Sequence, residues 1–146
     1  MVVLSRWSKA VATGAAAVGT LTLGAGPASA YPNWQPWVQP ASYKCGTTAT
    51  HQASNNIAMQ TCIVRNTSNN TYQAVAIVVN NAPTTVYLEA IVQTLSHSRF
   101  DTCNKTPVAP GKRVACYAET VPGDVHANSR IILNNGLNDF TTTVFW

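Results

Sequence analysis

The sequence predicts an all-β antiparallel sandwich of about seven strands. Three observations predict it. Short runs carry the two-residue period of a half-buried strand. Gly, Pro and Asn turn chemistry separates them. Four cysteines, an even number, are available to staple a small core.

Val86–Ser96 shows the period best: Val86, Leu88, Ala90 and Val92 share one face, and Glu89 and Gln93 the other. Tyr43–Thr50 is a weaker first strand. Ile57–Asn66 follows, with Ile57, Met59 and Ile63 on its apolar face and Gln60, Cys62 and Val64 on the other. Ser68-Asn69-Asn70-Thr71 turns into Tyr72–Asn80, and Asn80-Asn81-Ala82-Pro83 breaks that run. His97–Pro107 reads as a longer loop. Pro110-Gly111 turns into Lys112–Thr120, and Val121-Pro122-Gly123-Asp124 turns again. His126–Leu133 leads to Asn134-Asn135-Gly136, a hairpin signal because Asn and Gly tolerate positive φ. The last run, Phe140–Trp146, places Phe140, Thr142, Val144 and Trp146 on one face. No window has a helical period.

Two segments precede these strands. Residues 1–30 read as a signal peptide: Arg6 and Lys9, an uncharged Ala/Val/Leu/Gly stretch, then Pro27 before the small-residue site Ala28-Ser29-Ala30. The stretch is short and weakly apolar for a membrane span of ~20 residues. Residues 31–42 form an extended arm whose three prolines in YPNWQPWVQP forbid a helix. Residues 43–146 are the sandwich. The expected location is extracellular, with no membrane attachment after the leader is removed.

Charge excludes one class of partner. Arg6 and Lys9 leave with the leader, and the remaining Lys and Arg exceed the five acids by only two. Only Lys112-Arg113 are adjacent, too few for a stripe that tracks nucleic-acid phosphates.

Cys45, Cys62, Cys103 and Cys116 contain no C-x-x-C spacing, which speaks against a zinc knuckle or a redox dithiol. Local pairing, Cys45–Cys62 and Cys103–Cys116, would constrain the unfolded chain by roughly 3 kcal/mol per loop. The rival is a Cys62–Cys116 bond between sheets. Cys62 points away from the apolar face of its strand, which favours the local pairs.

The leader ending Gly26-Pro27-Ala28-Ser29-Ala30, Cys62 within a strand, the Pro110-Gly111 turn and Cys116 on the following strand together resemble small secreted proteins of filamentous, high-GC soil bacteria. The resemblance implies an immunoglobulin-like sandwich. The subtilisin-inhibitor family of the same bacteria is similar in size, export and two disulfides, but its reactive-site loop with a flanking cystine has no counterpart here.

The chemistry-bearing residues are sparse. Ser96-His97-Ser98 puts a hydroxyl beside an imidazole, but neighbours on an extended chain point to opposite sides. Glu89, Asp101, Glu119, Asp124 and Asp139 lie on separate segments, whereas a glycosidase needs two carboxylates roughly 5–10 Å apart. His51, His97 and His126 have no metal-binding spacing. No catalytic residue, metal or cofactor is expected. Trp34 and Trp37, with Tyr31, are the candidate ligand contacts. On a Pro-rich strip they stack on sugars or dock in a partner's groove, or else fold back over the sandwich. These features read as a secreted, non-enzymatic binding module for wall polysaccharide or a secreted protein. The alternatives are an inhibitor of secreted hydrolases that presents the His97–Pro107 loop, and a small extracellular hydrolase.

Overall fold

The computed structural model describes residues 33–134 and 136–146. The expected leader and Tyr31 lie outside the described residues. The rest is an all-β sandwich of two antiparallel sheets. The first sheet has the order β1 (Asn33–Pro36), β8 (Arg113–Pro122), β5 (Thr71–Asn80), β4 (Ser54–Asn66), β2 (Tyr43–Cys45), with β3 (Ala49–His51) also paired to β4. The second has β10 (Leu137–Phe140), β9 (His126–Leu133), β6 (Val86–Thr94) and β7 (Arg99–Val108), with β11 (Val144–Phe145) also on β9. The chain makes the long β4–β5 hairpin in the first sheet and the long β6–β7 hairpin in the second, then crosses back for β8 and over again for β9.

Side-chain alternation builds the core. From the first sheet come Ile57, Met59 and Ile63 of β4, Ala74, Ala76 and Val78 of β5, and Cys116 and Ala118 of β8. From the second come Val86, Leu88, Ala90 and Val92 of β6 and Ala127, Ile131 and Leu133 of β9. The period-two expectation for β4 and β6 therefore holds residue by residue. Turn chemistry holds as well. Gly111 and Gly123 sit at φ +72° and +75°, and the β9–β10 hairpin turns through Asn134 (φ +48°) and Gly136 (φ +99°).

The structure differs from the sequence expectation in four places. His97–Pro107 is not a loop: after a 3-10 turn at Leu95–His97, β7 pairs with β6 along its length. Its polar residues and Pro107 suit an edge strand, where unpaired backbone faces water and such residues deter further pairing. Residues 33–36 are a strand rather than a detached arm, paired to β8 from Asn33↔Tyr117 to Pro36↔Val114. Tyr43–Thr50 divides into β2 and β3, which brings the strands among the described residues to eleven. Finally, Phe140–Trp146 is not one alternating run. It breaks at residues 141–143, so Thr141 and Val144 point inward while Phe140 and Thr142 are exposed.

Both disulfides are the local pairs. Cys45–Cys62 joins directly opposed residues of β2 and β4 on the outer face of the first sheet. Cys103–Cys116 links β7 to β8 and so ties the two sheets together through the core. Trp34 lies opposite Cys116 in the β1–β8 register, packs on the same core, and donates from Nε1 to the Asn104 carbonyl at 2.9 Å.

The opposite seam is closed by polar contacts. His51 is fully buried. Its Nδ1 accepts from the Ala53 N–H at 3.1 Å, which makes Nε2 the protonated nitrogen that donates to the Ile131 carbonyl at 3.2 Å. Thr61 of β4 lies 2.6 Å from the Ser129 hydroxyl of β9 and 2.7 Å from the Thr141 hydroxyl. Thr141 Oγ1 also accepts the Ser129 N–H at 2.8 Å. Hydroxyls sealed between sheets must satisfy one another, because water cannot. Thr141→Val keeps the shape and leaves that buried N–H without its partner. It should cost about 1–3 kcal/mol, read from urea denaturation. Replacing Cys103 and Cys116 together by Ala should cost about 3 kcal/mol in the same assay.

Candidate ligand-binding face

β1 and β2 occupy opposite edges of the first sheet, so residues 37–42 must travel from one edge to the other. Four strand spacings are about 19 Å. The seven steps from Pro36 to Tyr43 reach at most ~25 Å. The segment therefore has little slack and forms a strap directly over the outer face. Trp37 is laid down on Cys62, Val75, Ile77 and Ala115, outward-facing residues that are nonetheless buried. Its indole stacks on Tyr117 at 6.3 Å between centroids and meets Tyr43 edge-on at 6.1 Å. Burial under the strap raises the Tyr117 pKa above 10.0, opposed by a hydrogen bond with the Val38 backbone.

Two depressions lie near the first sheet's β1–β8 edge, and the strap borders the smaller through Trp37. One, of about 260 Å³, is walled by Trp37, floored by Ala58, Ile77 and Val79, and rimmed by Thr48, Gln60, Asn81 and Arg113. Gln60 is held by the Thr48 hydroxyl, which donates to its Oε1 at 2.5 Å. The other, of about 500 Å³, lies where β1 meets β7 and the start of β8, between Trp34, Pro36, Pro107 and Lys112. Arg113 lines both, so they are neighbours.

The structure thus separates the two tryptophans by role. Trp34 packs against the core and lines the larger depression, whereas Trp37 packs on the outer face of the first sheet and walls the smaller one. Gln60 and Asn81 join the candidate site without a sequence signal, and Lys112-Arg113 stood out only as an adjacent cationic pair; sheet register and the strap's path bring them together.

The other candidate chemistry stays dispersed. Ser96 and His97 do touch, contrary to the extended-chain expectation: the 3-10 turn brings the Ser96 hydroxyl 3.0 Å from His97 Nδ1. Both residues are exposed, and no described carboxylate bonds the far side of that imidazole. Asp101 and Glu119 converge, but on Arg99, which pairs with both. No group of three His, Cys, Asp or Glu among the described residues could hold a metal ion. The segment expected to present itself to a hydrolase is strand β7, already hydrogen-bonded to β6. The outer face of the second sheet carries Tyr87, Phe100, Phe140 and Phe145, all about half exposed or more, without a comparable strap.

Comparisons with protein-family models, with curated proteins and with solved structures find no match to this chain.

The raised Tyr117 pKa has a readable consequence. A proton held more tightly in the folded state contributes stability that is fully present below pH 10 and is lost as pH rises through the raised folded value. Tyr117→Phe should therefore flatten the alkaline fall in stability above pH 10, measured by denaturation midpoints against pH.

Proposed function

We propose that this protein is a secreted, non-enzymatic binding module for polysaccharide. The depression beside Trp37 carries the reading. It combines an indole wall and an apolar floor with amide, hydroxyl and guanidinium groups at the rim. A sugar ring presents complementary surfaces: a C–H face that packs on an aromatic plane, and a hydroxyl rim that exchanges hydrogen bonds with such groups. The strap holds Trp37 in place before any ligand arrives, which lowers the ordering cost of binding.

Secretion rests on the leader-like residues 1–30 and on two disulfides, which persist in oxidising compartments. The resemblance to secreted sandwich proteins of soil bacteria points the same way. No described helix is long and apolar enough to cross a membrane.

The purified, oxidised protein should co-sediment saturably with a wall or plant polysaccharide. Trp37→Ala should weaken binding at least tenfold, the order expected for losing one stacked aromatic. Because Trp37 also covers Ile77 and Val75, Gln60→Ala serves beside it: a smaller loss of binding with an unchanged melting temperature is expected. Sedimentation by neither neutral nor charged polymers, with the fold intact, would overturn the reading.

A further inference from the structure

We propose that the ligand of this face is a carboxylated polysaccharide, a chain of uronate sugars, rather than a neutral one. The inference rests on the polysaccharide reading above and names its chemical class.

Charge is distributed unevenly along β8. Lys112 and Arg113 stand at its start, both exposed. The only ion pairs among the described residues are those of Arg99 with Asp101 and Glu119, so neither cation at the start of β8 is engaged in one. No residue lining either depression is acidic. Glu119 lies six residues further along the same strand, about 20 Å away at strand rise. Glu89 and Asp139 belong to the other sheet. Screening at physiological salt acts over about 8 Å, so Glu119 does not cancel the field at Arg113.

Arg113 lines both depressions, and Lys112 lines the larger. An extended chain passing from one to the other crosses Arg113 on the way. A guanidinium presents a planar fork that matches a carboxylate with two parallel hydrogen bonds. In a uronate the carboxylate is attached to the ring itself. A ring packed against Trp37 therefore brings its own anion to Arg113, and the next ring brings one toward Lys112. A neutral glycan would leave both cations unanswered.

The test uses polygalacturonate, its fully methyl-esterified form, and neutral xylan as probes, with the intact oxidised protein and binding read by affinity electrophoresis. Methyl esterification keeps the rings and removes the charge. Binding to polygalacturonate should exceed binding to the ester roughly tenfold or more and should weaken as salt rises. Arg113→Gln should lose about tenfold on polygalacturonate and little on the ester, while Lys44→Gln, a cation on β2 that lines neither depression, should change neither. Equal binding to the ester and the acid, or to xylan, would overturn the uronate assignment and leave the polysaccharide reading standing. Salt-sensitive binding that Arg113→Gln leaves intact would overturn the site. Tighter binding to inorganic polyphosphate than to polygalacturonate would overturn the carboxylate. Binding to none of these, with the fold intact, would overturn both readings.

Discussion

The structure depends on how one edge of the sandwich is closed. Cys116 of β8 is bonded to Cys103 of β7, and Trp34 of β1 lies opposite Cys116 with its indole N–H on the carbonyl next to Cys103. One covalent bond, one half-buried indole and one hydrogen bond thus lock β1, β7 and β8 together. The two sheets would otherwise meet here through short or polar edge strands, which have little apolar surface of their own. A tryptophan covering a cystine between sheets serves the same physical end as in immunoglobulin domains, reached here from an N-terminal strand.

That closure has a consequence on the other side of the sheet. Because Trp34 fixes β1 at one edge and Cys45–Cys62 fixes β2 at the other, the six residues between them have only one economical route. They run over the outer face, and Trp37 falls on residues that alternation alone would leave in water. The candidate site follows from this geometry: an aromatic wall held by the strap, a floor of sheet residues, and cations from the tight turn at Gly111. The opposite seam needs no such device. There His51 bonds the Ile131 carbonyl, and the Thr61, Ser129 and Thr141 hydroxyls satisfy one another, which stitches β3 and β4 to β9.

The legible part of the fold was the part whose residues have one face in a dry core. β4 and β6 alternate because one side meets Leu88, Ile57 and their neighbours and the other meets solvent or the strap. β7 was illegible because it is an edge strand: only Asp101, Cys103 and Val108 point inward from it, and two of those are not conventional core residues. β1 was hidden by its prolines, which an edge strand accepts. Both disulfides could be read because Cys62 points away from the core, a fact of alternation. The site was half legible. Trp37 stood out by composition, but Gln60, Asn81 and Arg113 are joined to it only by cross-strand register, and no local pattern encodes which residues of β4, β5 and β8 will lie abreast.

On the proposal made above, Trp37, and not Trp34 or the aromatic face of the second sheet, meets the ligand. The indole N–H signals of Trp34, Trp37 and Trp146 in a ¹⁵N-labelled sample, followed during titration with galacturonate oligosaccharides, address it directly. The Trp37 signal should move saturably, with Trp34 shifting less and Trp146 remaining in place. A stationary Trp37 signal, with shifts confined to Phe100, Phe140 and their neighbours, would contradict it.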